Sequence, residues 1–341
     1  MGAKRLSAGR RTNLALLLLL ALALASGGLA FAIGSRLVRW IVIAHGLAGL
    51  AILLLVPWKS AIAGRGLRRS RRGSWASIAF SVLVAVAILS GIGHATGILG
   101  SAGGVTAMQL HVGAALASIP LAVWHVAARR VRPRRTDLSR RVMLRTGVLL
   151  GGSALAYGAL EGLVAVTSLP GGARRSTGSY ERGSFRPGEM PVTQWLNDHV
   201  PEIDAESWEL TVRSASGERA WSYQELAAFE DRVRATLDCT GGWYAEQDWD
   251  GVFVRRLLPG FDEARSLGIG SATGYGRRFP LADSANLLLA TRVGGAPLSA
   301  GHGFPARIVA PGRRGFWWVK WVDAVEVSVT PWWWQSPFPL T

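Results

Sequence analysis

The chain has 341 residues, of which 49% are hydrophobic, with a single cysteine and a formal net charge of +16. One cysteine excludes an intramolecular disulfide. A basic chain ordinarily suggests nucleic acid or an anionic surface, but residues 1–169 hold 20 Lys and Arg against two acids, whereas residues 170–341 hold 18 against 20. Because the basic excess lies entirely in the apolar half, we expect no nucleic-acid partner.

Five apolar stretches are long enough to cross a bilayer, which takes about 20 residues. They are predicted at 13–33, 37–58, 75–97, 105–128 and 143–168. The first has no clear small-residue cleavage site and is followed by four more, so it is expected to be an anchor rather than a signal peptide. The sequence therefore predicts a multi-pass bundle over residues 1–169, with the lipid bilayer as a partner.

The loops between these stretches predict an orientation. The 59–74 loop carries six Lys and Arg and the 129–145 segment carries eight, whereas the 98–104 loop carries no charge. Positive loops stay in the cytoplasm. We therefore expect a cytoplasmic N-terminus in the cell membrane and, after five spans, an extracytoplasmic C-terminal domain.

Four of the six histidines fall within the predicted spans: His45, His94, His111 and His125. Ionisable groups inside spans are costly and default to a functional interpretation. His111 and His125 are 14 residues apart, so they share a helix face at roughly 21 Å along the axis. With alternating span direction, the first three lie toward the outer side, whereas His125 lies at the inner edge without an obvious partner.

This arrangement resembles the four- and five-helix b-type cytochromes of membrane oxidoreductases. The resemblance implies one haem b held by His111 with His45 or His94, and a second only if His125 is also a ligand. The alternative for each is an ordinary hydrogen-bonded or interfacial histidine. Glu161, the one acid within a span, is expected to face water or a partner.

Composition changes after residue 169, and the Gly-rich, polar stretch 170–189 is predicted to be a linker. Residues 190–341 are then one domain of α+β, β-rich class, without an internal repeat. Within it, 207–212 alternates like a strand and 223–236 has helical spacing, while 306–310 and 316–329 are rich in β-formers.

The lone cysteine, Cys239, lies in a Cys-Thr-Gly-Gly-Trp run inside this domain. The residues alone leave three interpretations: a spare buried thiol, an intermolecular link, or a metal ligand. Further on come the runs Gly-His-Gly-Phe-Pro-Ala-Arg at 301–307 and Val-Lys-Trp-Val at 319–322. In this order and spacing they resemble the molybdopterin-binding domain of the sulfite oxidase family, which periplasmic protein-methionine-sulfoxide reductases share.

The resemblance, over about residues 190–330, implies a molybdenum–molybdopterin cofactor. Cys239 matches the family's molybdenum-ligating, catalytic cysteine. His302, Arg307 and Lys320 match the side chains that hold the anionic pterin phosphate, a role that suits cationic donors.

The chain departs from the family pattern beside the cysteine. Animal and plant sulfite oxidases follow it with arginine-containing residues that form an anion pocket, whereas this chain has Gly241-Gly242-Trp243-Tyr244. Arg277 and Arg278 would supply positive charge, but the match there does not assign them. Sulfite is therefore disfavoured as a substrate.

Two further segments bear on location. Ser139-Arg140-Arg141-Val142-Met143-Leu144, just before the fifth span, resembles a twin-arginine export signal. The tail at 331–340 is unusually aromatic, and it either rests at the membrane interface or packs on its own domain.

These observations predict a membrane-anchored molybdenum–pterin oxidoreductase that transfers an oxygen atom. The favoured direction is reduction of a sulfoxide-like substrate, including methionine sulfoxide, with electrons from a quinone or another membrane carrier relayed through haem b. The alternatives are oxidation of a small substrate such as sulfite with electrons flowing inward, a cofactor-free binding module on the same anchor, and a transmembrane haem reductase whose outer domain only docks partners.

Overall fold

The computed structural model of the chain describes residues 9–34, 37–67, 74–102, 105–128, 139–194, 198–258 and 264–336. Most of the basic residues in the two predicted cytoplasmic loops, and tail residues 337–341, lie outside these ranges. The chain divides into two compact units, residues 1–30 with 36–178 and residues 31–35 with 179–341. The boundary after residue 178 falls inside the stretch that the sequence predicts as a linker.

Five long helices make up the first unit among the described residues, and all five are long and apolar enough to cross a membrane. They carry apolar side chains on every face, as a helix surrounded by lipid requires. This confirms the five predicted spans to within a few residues, except that the second helix continues to Leu67. The helices are α1 Arg10–Ala32, α2 Val38–Leu67, α3 Ser74–Thr96, α4 Ala107–Ala128 and α5 Arg140–Val166, with the short strands β1 Ser101–Ala102 and β2 Val105–Thr106 pairing before α4.

The second unit is β-rich, as predicted, and its described residues form two sheets. The strands are β3 Tyr180–Glu181, β4 Glu209–Ser214, β5 Gly217–Ser222, β6 Asp231–Asp238, β7 Trp243–Phe253, β8 Ser266–Ser271, β9 Gly276–Pro280, β10 Leu288–Val293, β11 Ala296–Pro297, β12 Arg307–Val309 and β13 Val322–Ser328, with the helix α6 Tyr223–Ala227. One sheet runs β11-β10-β7-β3 with β12 on β10 and β6 on β7, and the other runs β5-β4-β13-β8-β9.

The predicted helix over 223–236 is wrong beyond its first turn. A capping box at Ser222 and Glu225 starts α6, but the helix ends at Ala227 and the chain enters β6. In β6 the side chains of Ala235 and Leu237 are buried against the core while Arg232 and Arg234 are exposed. Period-two burial and antiparallel pairing to β7 override the helical spacing.

Three connections bring the sequence motifs to one region of the second unit. The hairpin from β6 to β7 carries the Cys-Thr-Gly-Gly-Trp run. The backbone between β12 and β13 returns beside β12, because the Ile308 N–H donates to the Val319 carbonyl at 2.8 Å and the Val322 N–H donates to the Ala306 carbonyl at 2.9 Å. The 301–307 run and Lys320 are therefore neighbours, although 13 or more residues separate them along the chain.

Candidate active site

Cys239 is the first residue of the turn between β6 and β7, and the turn fixes its direction. Its N–H donates to the Trp243 carbonyl at 2.8 Å, and the Gly242 N–H donates to the Cys239 carbonyl at 3.2 Å. The Gly241 N–H donates to the cysteine sulfur at 3.4 Å. The residue is only 9% exposed. Burial raises the pKa of the Cys239 thiol, and the Gly241 hydrogen bond opposes this to a smaller extent, so without a metal the group is a neutral thiol at neutral pH.

A buried ion pair lies directly behind the cysteine. The Arg314 guanidinium donates from Nη1 to Asp238 Oδ1 at 2.5 Å and from Nη2 to the Cys239 carbonyl at 3.4 Å. The two side chains are 3% and 10% exposed, and Ser179 Oγ donates to the same Asp238 oxygen at 2.6 Å. The pair ties the last residue of β6 and the cysteine backbone to the segment before β13.

The glycine after this arginine allows the close approach. A Cβ placed on Gly315 would lie 3.0 Å from Cys239 Cα and 3.3 Å from the Asp238 carbonyl oxygen, so any side chain would push the cysteine turn away. The sequence reasoning did not identify the Arg314–Asp238 pair. Asp238 directly precedes the cysteine, but its partner is 76 residues further along the chain, and no local pattern indicates a contact at that separation.

The thiol lines a cavity of about 80 Å³. Aromatic, hydroxyl and charged groups share its wall, among them Thr240, Tyr275, Phe316, Trp318, Lys320 and Asp198. The Tyr275 hydroxyl donates a short hydrogen bond to the Phe316 carbonyl, and burial raises the pKa of Tyr275. The phenol is therefore neutral, and its hydroxyl hydrogen is donated to the Phe316 carbonyl rather than to the cavity.

Arg307, on β12, is a buried cation that lacks a carboxylate partner among the described residues. It is 3% exposed and donates to the carbonyls of His302 at 3.0 Å and Trp318 at 3.4 Å. Its Nε has no hydrogen-bond partner, and its guanidinium carbon lies 5.1 Å from the Trp249 ring centroid. Burial lowers the pKa of Arg307 to about 9, because the charge has left water without an acid to compensate it.

Lys320 is a second cation without a described carboxylate partner; it is half-buried and forms part of the cavity wall. Its ammonium group donates to the Thr193 and Gly301 carbonyls, each at 3.0 Å, and no described carboxylate lies within ion-pair distance. Burial, together with the nearby Arg307 charge, lowers the pKa of Lys320 to about 8. Two cations without a described carboxylate partner in one region give the site an excess of positive charge.

Gly303 lets the two cations approach each other. Its φ of +106° lies in the region that L side chains rarely adopt. An added Cβ would lie 3.1 Å from the Cβ atoms of both Arg307 and Lys320. The second glycine of the Gly-His-Gly run is thus required by the backbone geometry between the two side chains.

His302 lies beside Arg307, but both of its ring nitrogens are already bonded within the domain. Nδ1 is 2.8 Å from Ser299 Oγ and Nε2 is 3.0 Å from the Met190 carbonyl. Burial lowers the pKa of His302, and the Arg307 charge adds to this. The ring is therefore neutral, with its single N–H donated to the Met190 carbonyl and the Ser299 hydroxyl donating to Nδ1.

Arg277 and Arg278 do not line the cavity. Arg277 is 4% exposed, with its guanidinium carbon 4.4 Å from the Trp317 ring centroid, and it donates to the Ser336 carbonyl at 3.0 Å. The Arg278 guanidinium donates to the Trp334 carbonyl at 3.0 Å. Both arginines are thus engaged with the C-terminal tail.

The helical unit brings two of the four predicted histidines together. The rings of His45 on α2 and His111 on α4 lie 5.6 Å apart between centroids, at 87° to each other. His45 Nδ1 is 2.9 Å from the Ala23 carbonyl and His111 Nδ1 is 2.7 Å from the Ala87 carbonyl. A backbone carbonyl on Nδ1 is the arrangement that presents Nε2 of a histidine to a metal.

The other two histidines are engaged differently. His94 Nε2 is 2.7 Å from the Gly178 carbonyl, so the nitrogen that would ligate iron already has a partner. His125 Nδ1 is 3.3 Å from Ser77 Oγ, and its ring packs on Phe80 at 5.6 Å. Glu161 pairs with Arg174, which satisfies the one acid of the predicted spans.

Known proteins share parts of this chain's sequence. Residues 197–334 match the family model described as the oxidoreductase molybdopterin binding domain. A putative protein-methionine-sulfoxide reductase subunit YedZ1 from Azospira oryzae is 31% identical over 141 residues, which cover 39% of this chain and 53% of that protein. Rat mitochondrial sulfite oxidase is 30% identical over 166 residues, which cover 38% of this chain and 30% of that enzyme. This chain therefore spans about half or less of these relatives' lengths.

Among solved structures, the sulfane dehydrogenase SoxCD from Paracoccus pantotrophus aligns with a TM-score of 0.36 at 23% identity, over 38% of this chain and 40% of that one. The family model begins before β4 and ends just after β13, so it contains the cysteine turn, Arg307, Lys320 and the cavity lining other than Thr193 and Gln194. Residues 197–334 are therefore a molybdopterin-binding oxidoreductase domain.

Proposed function

We propose that the chain is a membrane-anchored molybdenum–pterin oxidoreductase in which Cys239 ligates molybdenum. The observation that carries the proposal is one buried thiol that shares a cavity with Lys320, while the buried Arg307 lies across Gly303 from Lys320 and neither cation has a carboxylate partner among the described residues. A cysteine that only fills space in the core needs neither a cavity nor unpaired cations around it. A cysteine that ligates a metal beside a bound anion needs both, because the metal binds the sulfur and the anion compensates the charge of the cations.

The residues fit the phosphate of a pterin cofactor. Arg307 keeps one buried N–H without a partner, and Lys320 is bonded only to neutral carbonyls. In the proposal both donate to the phosphate. In the proposal the His302 Nε2–H leaves the Met190 carbonyl, to which it donates in this structure, and donates to the phosphate instead. Charge-assisted hydrogen bonds of this kind contribute about 1.5–3 kcal/mol each.

A molybdenum–pterin group, when bound, supplies two-electron oxygen-atom transfer. The chain's own residues shape what reaches it. Phe316 and Trp318 exclude water from one side of the cavity, and the oxygen of Tyr275 remains as a hydrogen-bond acceptor. The turn at Cys239 holds the sulfur in one direction.

The cavity wall favours a neutral substrate. The charged residues among its described lining are Asp198 and Lys320, one of each sign, and the arginines at 277 and 278 face the tail. An anion such as sulfite would meet Asp198 and gain little net attraction. We therefore propose a sulfoxide-like substrate, in the direction of reduction.

The runner-up is oxidation of a small substrate such as sulfite, with electrons flowing inward. Two relatives support different directions, since one is named as a sulfoxide reductase subunit and the other as a sulfite oxidase. Steady-state assays with methionine sulfoxide and a reduced electron donor, and with sulfite and an oxidised acceptor, separate the two.

Electrons are proposed to pass from a quinone pool through haem b in the helical unit. The support is the His45–His111 pair, whose Nδ1 atoms both face backbone carbonyls. A haem supplies one-electron transfer when bound. His94 is the less suitable ligand because the Gly178 carbonyl takes its Nε2, and a second haem would need His125.

The proposed location is the cell membrane, with the N-terminus in the cytoplasm and the second unit outside. The positive loops at 59–74 and 129–145 support this orientation. Ser139-Arg140-Arg141 at the start of α5 supports export of a domain that is already folded around its cofactor.

The test is metal analysis together with a pyridine haem assay on detergent-purified protein. The proposal expects molybdenum in the wild-type chain and loss of activity with haem retained in Cys239→Ser. A chain without molybdenum would instead be a binding module on an anchor, and full activity of Cys239→Ser would refute the metal role. Substrate-dependent reoxidation of the reduced haem tests the electron route and excludes a haem reductase with a passive outer domain.

A further inference from the structure

Large apolar side chains near the end of the chain remain exposed. Val329 is 65% exposed, and Trp332, Trp333 and Trp334 are 38%, 61% and 70% exposed. We call these four residues the C-terminal patch. Single exposed apolar residues are ordinary, but a contiguous group rimmed by polar residues marks an interaction surface.

Hydrogen bonds fix the backbone of the segment that carries the three tryptophans. Gln335 accepts from the Arg278 N–H at 2.9 Å and donates to the Arg278 and Trp332 carbonyls, each at 2.7 Å. The Arg278 side chain donates to the Trp334 carbonyl at 3.0 Å. The turn is thus fastened to β9, the edge strand of its sheet, and the three indoles project from a fixed backbone.

The domain does not use the patch for its own site. None of the four side chains lines the cavity at Cys239, and none belongs to the buried core. Trp333 and Trp334 contact each other, with ring centroids 5.9 Å apart. Exposing three indoles to water is unfavourable at about 25 cal/mol for each Å² of apolar surface, so the surface implies a partner.

The chemistry of the patch identifies a lipid bilayer as that partner. Indole has an apolar body and one N–H donor, which is why tryptophan concentrates at membrane–water interfaces. The Arg278 guanidinium, which donates to the Trp334 carbonyl, suits a lipid phosphate. The bilayer is also close along the chain, because α5 ends at Val166 and the main segment of the second unit begins at residue 179. A short tether makes even weak intrinsic binding effective.

We propose that the C-terminal patch inserts into the interfacial region of the membrane that the helices span, and so anchors the second unit at a second point. A groove that binds a peptide has concave walls, whereas these rings project from a turn. The proposal does not depend on molybdenum, on haem or on the substrate.

The test uses the full-length chain in nanodiscs of phosphatidylcholine and phosphatidylglycerol, with acyl chains brominated near the headgroup to quench nearby indoles. The apolar helices contain four tryptophans, Trp40, Trp58, Trp75 and Trp124, which supply the same quenched signal in every variant. With the three tail tryptophans, seven indoles are expected to be quenched in the wild type. The variant W332S/W333S/W334S is expected to lose about three-sevenths of the quenched emission. The matched control is Trp221→Phe, which removes a core indole that is 8% exposed, and it is expected to leave the quenched emission unchanged.

A second measurement leaves the tryptophans intact. Ser336→Cys labelled with an environment-sensitive fluorophore is expected to shift to the blue in nanodiscs relative to detergent, while Cys239 is too buried to label in the folded chain. Equal quenching in wild type and triple variant, or a label that reports water in nanodiscs, would overturn the proposal. So would loss of self-association in the triple variant without a change in quenching, because the occupant would then be a second copy.

Discussion

Replacing Arg314 by methionine should destabilise the second unit strongly. The substitution removes the guanidinium from a pair whose side chains are 3% and 10% exposed and leaves the Asp238 carboxylate in the protein interior. Breaking a buried pair by removing one partner costs about 3–5 kcal/mol. The Cys239 carbonyl loses a donor at the same time.

For a domain of this size, about 1 kcal/mol corresponds to a change of roughly 2–4 °C in melting temperature. Arg314→Met is therefore expected to lower the melting temperature of the second unit by about 6–20 °C, measured by scanning fluorimetry in detergent. The matched control is Arg213→Met, which breaks the exposed Arg213–Glu218 pair, 55% and 58% exposed. That pair is worth about 1 kcal/mol or less.

The double variant D238N/R314M distinguishes a paired charge from simple loss of packing. Because it removes both charges, it is expected to recover a substantial part of the stability that Arg314→Met loses, with a coupling energy of about 1–3 kcal/mol. Equal losses in Arg314→Met and Arg213→Met, or strictly additive losses at 238 and 314, would refute the role given to the pair.

Three other outcomes are expected. The folded-state pKa of Lys320, about 8, lies below its ordinary value of 10.5. The free energy of unfolding of cofactor-free wild type, relative to that of Lys320→Met, is therefore expected to increase by up to about 3 kcal/mol as pH rises from 8 to 10.5. Urea unfolding measures this difference, and a difference that does not change with pH would contradict the expectation. Gly303→Ala should lower molybdenum content several-fold in a folded chain, because a Cβ there would meet Arg307 and Lys320; full loading would show that the two side chains need not approach. His111→Ala should abolish pyridine-detectable haem while His94→Ala retains it, and the reverse result would reassign the ligand.

The sequence predicted the helical unit well because spans are defined by composition alone. Each of the five helices matches an apolar stretch, and no tertiary contact is needed to find them. The 223–236 segment shows the opposite case. Its apolar spacing suits a helix, yet pairing with β7 and burial of alternate side chains decide the structure.

Sequence reasoning could predict only those residues of the candidate site that lie in recognisable motifs. Cys239, Arg307 and Lys320 lie in recognisable runs, and the fold brings them to one region. Arg314 and Asp238 could not be found, because nothing local distinguishes an arginine that will meet an aspartate 76 residues away. The choice of His45 over His94 likewise depended on which carbonyl each ring meets, a detail set by helix packing rather than by spacing.

The most direct measurement is molybdenum K-edge X-ray absorption on the purified wild-type chain and on Cys239→Ser. If the Cys239 sulfur is bonded to the metal, the wild type contains molybdenum and the variant shows one sulfur ligand fewer. A wild-type chain free of molybdenum, or an unchanged sulfur shell in the variant, would contradict the account.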